Sequence, residues 1–500
     1  MKDGMQLGRL LALAALGFSA LSEVSARTYL PGEGDVDVSV YQTTGERAFR
    51  EIPTTPFTVH AYTNRPPVDV DAAEERATYR GLGVSLTDAS AWLLAQLSAE
   101  KRRAVLEAVF SQERGAALSG VRLNIGASDY STAIYCYDDT PGDVEMKHFS
   151  IDRDRHWLIP MAKEAMAVNP EIFFFAAPWS PPAWMKTTNN FIDGHFKDGC
   201  EPAMANYLAA YVREMRKSGV PVGAVTVQNE AALSTRGTYP SCVFSAQQEA
   251  LVCKLLRRKL LSEGSDAQVW LWDWNTFQSI QGGDVRTGRL ASQLEDPELL
   301  ASIDAIAWHS YSSGAERMWP FKQKYPQLHF YHTEQGPAKH DPRRTQRWWL
   351  DRLAMMMENG CETFTGWNLC LTDDGQPLTG PHLWMGLVTV DLDTGDFTPS
   401  AQYDVFRHVG PFVKKGAKIL RPPAFDADEC KTLLFRNPDG EYVLVVASDG
   451  RGTPRNDTNR RGADGSEPRP KLYVRYGGEM KHLPLPHGTW SVTTVVFKKR

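Results

Sequence analysis

Eight short apolar runs alternate with helix-like segments between Gly81 and Trp367, and this alternation constrains the fold more than any other feature of the chain. The runs cover residues 81–86, 121–125, 172–177, 222–227, 269–273, 303–308, 329–332 and 363–367. Between them, Met204, Tyr207, Leu208, Tyr211, Val212 and Met215 step by three and four, which gives a helix one apolar face. Val105, Leu106, Val109 and Phe110 do the same earlier, and Trp349, Leu353 and Met356 later. Eight such units predict an α/β fold, a (β/α)₈ TIM barrel, with a doubly wound open sheet as the alternative. No Gly-x-Gly-x-x-Gly follows the first run and no phosphate loop occurs, so nucleotide binding has no support.

The flanks read differently. Lys2 and Arg9 border an apolar stretch, 10–20, followed by the small residues Val24-Ser25-Ala26, which predicts an export signal over 1–26 and a secreted or periplasmic protein. That stretch is too short to span a membrane. Alternation over 36–44 and a second extended piece ending at Ile52 predict a hairpin. After Pro411, short strand-like segments separated by turns such as Asn437-Pro438-Asp439-Gly440 predict an antiparallel β-sandwich. The polar segment 451–471 reads as a solvated loop. The expected organisation is a leader (1–26), N-terminal strands joining the sandwich (27–66), the barrel (67–410) and the sandwich domain (411–500). A net charge of −5 gives no electrostatic reason for nucleic acid or an anionic membrane as partner. The 7 cysteines show no Cys-x-x-Cys spacing, which argues against a structural zinc; export would permit disulfides.

In a barrel, chemistry gathers where strands end. The second run leads into Asp129, the third into Trp179, the fourth into Asn229-Glu230, the sixth into His309 and Tyr311, the seventh into Glu334 and the eighth into Trp367. Arg122 lies within the second run. A carboxylate is almost never buried without a partner or a task. Glu230 and Glu334 stand on the fourth and seventh strands, so they can converge across the barrel mouth. Paired carboxyls among aromatic and amide groups suit acetal hydrolysis. One carries a proton for the leaving oxygen, and the other attacks the anomeric carbon. A divalent metal is the other use of two carboxylates, but further oxygen ligands are not grouped nearby. Asp88 is a candidate N-cap for the first barrel helix.

The stretches Gly81-Leu82-Gly83-Val84-Ser85-Leu86-Thr87-Asp88-Ala89, 122–131, 177–187, 224–230, Tyr239-Pro240-Ser241-Cys242, 309–311, Thr333-Glu334 and Trp367-Asn368-Leu369 follow one another in an order that resembles glycoside hydrolase family 30, which includes glucosylceramidases and endo-β-1,6-glucanases. The resemblance implies roles. Glu230 matches the acid/base and Glu334 the nucleophile of a retaining mechanism. Asn229 matches an asparagine that bonds the sugar 2-hydroxyl. Asp129 and Trp179 match residues holding the innermost sugar's hydroxyls, and Trp367 matches its stacking platform. Tyr311 and His309 match neighbours of the nucleophile, and Arg122 a supporting arginine below the site. Two positions depart from the pattern. Ala231 stands where the family often has proline, and Ser241 where glucosylceramidase carries an aromatic.

The sequence therefore predicts a secreted retaining β-glycosidase acting on β-glucosidic bonds, needing no cofactor and no metal. Its carbohydrate partner would be a β-glucan, a β-glucoside or a glucosylated lipid. A β-xylosidase is possible on the same scaffold, and an inactive carbohydrate-binding protein is the reading from a different class.

Overall fold

The structure, a computed structural model, describes residues 30–31, 36–45, 48–52, 58–59, 67–276, 285–312, 314–336, 345–423, 430–450, 471–486 and 488–499. The expected leader over 1–26 and nearly all of the polar 451–471 segment lie outside the described residues.

All eight apolar runs form strands: β1 Gly81–Leu86, β2 Gly120–Ile125, β3 Phe173–Pro178, β4 Val222–Thr226, β5 Gln268–Asn275, β6 Ala305–His309, β7 His329–Glu334 and β8 Thr363–Gly366. From β1 to β7 each pairs in parallel with the next in chain order, and β8 pairs in parallel with β1, so the sheet curls round until β7 and β8 face each other. Strands of this kind are covered on both faces, which is why they read as continuous apolar runs; every residue of β1 is buried.

At the β7–β8 seam the Glu362 amide donates to the Phe330 carbonyl (2.8 Å) and the Gln335 amide to that of Thr365 (3.1 Å). Between them, the Thr365 amide donates to His332 Nδ1 at 3.1 Å. Burial, with His309 and Arg122 nearby, holds His332 well below its usual range, so its ring is neutral and Nδ1 is free to accept.

The first barrel helix, Asp88–Gln96, is capped by Thr87, whose side chain accepts from the Ser90 amide. Asp88, the expected cap, instead turns into the loop after β2. Its carboxylate accepts from Trp157 Nε1 (2.7 Å) and from the amide and hydroxyl of Thr132 (2.7 and 2.8 Å). Thr87, the residue directly before it, has the extended backbone that an N-cap needs.

The N-terminal hairpin joins the C-terminal strands. Val36–Thr44 pairs antiparallel with Ser491–Lys499 along its whole length and with Arg50–Ile52 on its other side. Ser491–Lys499 then pairs with Tyr442–Ser448, and the sheet continues through Cys430–Arg436 to Lys418–Arg421. Two short strands just inside the expected barrel segment also belong outside the barrel. Glu74–Thr78 extends the large sheet beside Lys418–Arg421, and Val68–Asp69 pairs with Lys471–Tyr476 in a smaller four-stranded sheet. Period-two alternation gives the large sheet two buried faces. Leu434, Leu444, Val446, Val495 and Phe497 meet Leu472, Val474 and Leu483 of the small sheet. Leu433, Phe435, Val443, Val445 and Val496 join the core of the barrel. Buried His408 bridges the layers, with Thr494 on one ring nitrogen and Thr43 on the other (2.9 and 2.8 Å). Cys136, Cys200, Cys242, Cys253, Cys361 and Cys370 are free thiols.

Candidate active site

The nine residues singled out from the sequence form one connected group at the C-terminal ends of the strands. Past the end of β4, the Asn229 amide donates to the Pro178 carbonyl (2.8 Å) and the Glu230 amide to the Asp273 carbonyl (3.0 Å). The turn is thus tied to β3 on one side and β5 on the other. Glu230 takes a left-handed backbone (φ 51), as do Asp273 (φ 42) and Asn368 (φ 60). Left-handed conformations in residues other than glycine cost energy and collect at functional sites. Three of them fall on this one rim.

Arg122 is fully buried in mid-β2 and is the hub. One guanidinium nitrogen donates to Glu334 Oε2. The other donates to Asn229 Oδ1 (2.9 Å) and Asp273 Oδ2 (2.8 Å). Trp179 and Trp367 stack with centroids 5.0 Å apart, and the guanidinium lies 4.7 Å from the first ring and 5.7 Å from the second. Cation–π contact and two carboxylates offset the cost of burying this charge.

Asp273 was not among the candidates. It sits on a bulge in β5, where the register to β6 shifts between Leu271 and Trp274 and re-aims its side chain into the barrel. Besides Arg122 it accepts from Thr226 (2.8 Å), Thr333 (2.7 Å) and His309 Nε2 (3.2 Å). Burial works against its charge, but Arg122 and His309 outweigh it and hold the carboxyl well below the usual range. The rule that drew attention to Glu230, that a buried carboxylate has a partner or a task, applied equally to Asp273 among the tryptophans of 270–274.

His309 is also fully buried. Burial opposes its charge, yet Glu334, Asp273 and Glu230 together raise it to about 9. At neutral pH it is an imidazolium and donates from both nitrogens. Nδ1 lies 3.2 Å from Glu230 Oε1 and 3.9 Å from Glu334 Oε1. The two carboxyl oxygens are therefore no farther apart than those distances laid end to end. Glu334 Oε1 also accepts from the Tyr311 hydroxyl at 2.8 Å. Each oxygen of Glu334 is thus held by a named donor.

Asp129 is buried and its Oδ1 has no hydrogen-bond partner. Burial first, then Glu334 and Glu230, raise it well above the usual carboxylate value. An orphaned carboxyl atom in a polar cleft is suited to a hydroxyl group of a ligand.

The loop 372–387 roofs this side. The amides of Thr379 and Gly380 donate to the Asp129 carbonyl (2.7 and 3.1 Å), and the Thr379 hydroxyl to that of Ser128 (2.6 Å). The Tyr130 hydroxyl donates to the His382 carbonyl and accepts from the Trp384 amide, both at 2.7 Å. Trp384 packs on Tyr311 (5.5 Å) and His382 meets Tyr239 edge-on (6.2 Å). Tyr130, Tyr239, His382 and Trp384 were not among the candidate site residues, and no periodic pattern marks them. Lys186, fully buried after β3, ties the surrounding loops by donating to Ser180 Oγ (3.0 Å) and to the carbonyls of Phe191 (2.6 Å) and Ser241 (2.7 Å). Among the described residues, no group of three or more His, Cys, Asp or Glu could hold a metal ion, and no helix is long and apolar enough to cross a membrane.

Residues 79–382 match the glycosyl hydrolase family 30 TIM-barrel domain. The chain is 26% identical over 434 residues to putative glucosylceramidase 1 of Caenorhabditis elegans, covering 81% of this chain and 80% of the relative. It is 27% identical over 405 residues to an endo-1,6-beta-D-glucanase of Neurospora crassa, covering 76% and 80%. The crystal structure of SrfJ from Salmonella typhimurium superposes with a TM-score of 0.78 at 23% identity, over 93% of this chain and all of the other, a likeness of fold.

Proposed function

The chain belongs to glycosyl hydrolase family 30, and from that premise we propose that it cleaves β-glucosidic bonds with retention, using Glu334 as nucleophile and Glu230 as acid/base. It is a glycoside hydrolase of β-glycosidase type. The observation that carries the finer reading is the approach of the two glutamates to one histidine nitrogen, His309 Nδ1.

In the first step a carboxylate oxygen of Glu334 attacks the anomeric carbon while the Glu230 carboxyl gives its proton to the departing glycosidic oxygen. The anomeric carbon–oxygen bond to the leaving group breaks, and an ester bond to Glu334 forms. In the second step the Glu230 carboxylate takes a proton from water as that water's oxygen displaces Glu334. Two inversions return the β-configuration. Arg122 and Tyr311 fix the nucleophile's orientation. Asn229 is held by Arg122 at the edge of the site, within reach of a 2-hydroxyl. Asp129 receives the hydroxyls at the far side of the innermost sugar, and Trp179 and Trp367 form its apolar wall. The substrate is a β-glucan, a simple β-glucoside or a glucosylated lipid. The N-terminal leader pattern supports export as the setting.

Incubation with an aryl β-glucoside and with a β-1,6-glucan, repeated with Glu334→Gln, tests the reading. Turnover by the wild type and its loss in the variant are expected. No turnover of either substrate would count against the β-glucosidic assignment, and an equally active variant against the nucleophile.

A further inference from the structure

A second cavity opens at the opposite end of the barrel, at the N-terminal ends of the strands. Its volume is about 580 Å³, within the range that small-molecule sites occupy. The floor is the aromatic layer that plugs the barrel: Phe175, Trp270 and Tyr331, with Trp270 4.5 Å from Tyr331 and 5.0 Å from Phe175. None of the glutamate-site residues lines it, so the cavity is separate from the glutamate site.

At the rim Phe173 opens β3. Its ring lies within 17° of parallel to Trp270 and is 42% exposed. Gly223 on the adjacent strand makes the seat: a Cβ there would come within 2.5 Å of the ring. An exposed aromatic face held rigidly at a cavity mouth is a platform, not a packing residue.

The polar lining narrows the ligand. Glu113 and Glu171 oppose an anion, while Arg80 and Lys415 oppose a cation. Arg80 is already paired with Glu362 (2.6 Å). Gln268 uses its carbonyl oxygen on Trp270 Nε1 (2.8 Å), which leaves its amide hydrogens for a guest. Tyr331 also lines the cavity. Flat apolar faces combined with planar, neutralising donors and acceptors suit a neutral ring that carries hydroxyls on its edge and C–H groups on its face.

We propose that this cavity is a second, non-catalytic carbohydrate site that stacks a pyranose ring on Phe173 and bonds its hydroxyls through Gln268, Glu171 and Tyr331. It would hold a saccharide chain away from the reacting glutamates.

The test is calorimetric titration of the Glu334→Gln chain with a β-1,6-linked glucotetraose, alone and with Phe173→Ala added. Phe173→Ala is expected to remove one binding event or weaken it by about tenfold or more. The exposed Glu171→Ala change, which puts no packing at risk, is expected to weaken the same event. The glutamate site's own event stays in both variants, and its absence throughout would speak against the hydrolase substrate without touching this count. A binding stoichiometry unmoved by either substitution overturns the proposal. So does a cavity that takes laurate, an apolar-tailed anion, but no sugar.

Discussion

Replacing Asp273 by asparagine probes the centre of the buried charge network. The carboxylate accepts four hydrogen bonds, two on each oxygen: Arg122 and Thr226 on Oδ2, His309 and Thr333 on Oδ1. Asparagine has one acceptor oxygen. The guanidinium cannot shed a proton, so the oxygen must stay toward Arg122 and the NH₂ must face His309. Two donors then meet, and His309 resolves the conflict by losing its Nε2 proton. Its pKa, raised to about 9 partly through Asp273, therefore falls. Removing one partner of a buried ionic cluster costs about 3–5 kcal/mol. Arg122 and His309 position both glutamates, and small misplacements at a reacting centre cost on the order of 10² in rate. The expected outcome is a lower urea midpoint by that free energy, a kcat/KM on an aryl β-glucoside reduced by about a hundredfold, and an alkaline limb moved to lower pH. A variant that loses less than about 1 kcal/mol and keeps its pH profile would refute the role assigned to Asp273.

His309 and Lys186 make opposite contributions to stability against pH. His309 holds its proton in the folded state up to about 9, against about 6.5 when unfolded, so its stabilisation is whole below about 6.5 and is lost as pH rises through about 9. Urea midpoints of wild type and His309→Gln should converge across that window; a constant difference would contradict it. Burial lowers Lys186 to about 8, so the folded chain sheds this proton before the unfolded one and the group's contribution improves from about 8 toward about 10.4. Lys186→Met leaves the Phe191 and Ser241 carbonyls without their donor, at about 1–3 kcal/mol each. Because those loops carry Trp179 and Tyr239, KM is expected to rise more than kcat falls, and an unchanged KM would argue that the lysine only stabilises.

The barrel was legible because strands covered on both faces leave continuous apolar runs that single-chain periodicity detects. Every one of the eight runs became a strand. Val68–Asp69 and Glu74–Thr78 were not legible as sandwich strands: one has two residues, the other reads Glu-Glu-Arg-Ala-Thr, and their partners lie hundreds of positions away. Eight of the nine candidate residues stood out because strand ends concentrate polar and aromatic groups on one rim; Arg122 lies inside its strand, and the resemblance supplied its role. Asp273 escaped because its approach depends on a bulge with two left-handed residues, Trp272 and Asp273, which alternation cannot foresee. The roof over Asp129 escaped for a related reason. It is made by hydrogen bonds between 379–384 and 128–130, and nothing local in either segment announces the other.

The central claim is that Glu334 forms a covalent bond to the sugar. Incubation with a 2-deoxy-2-fluoro-β-glucoside bearing a good leaving group, followed by peptide mapping by mass spectrometry, reads this directly, because the fluorine slows hydrolysis of the intermediate. The expected result is one sugar per chain, attached to the peptide at Glu334, with inactivation in step with labelling. Turnover of the aryl β-glucoside with no labelled peptide, or a label on any other residue, would contradict it.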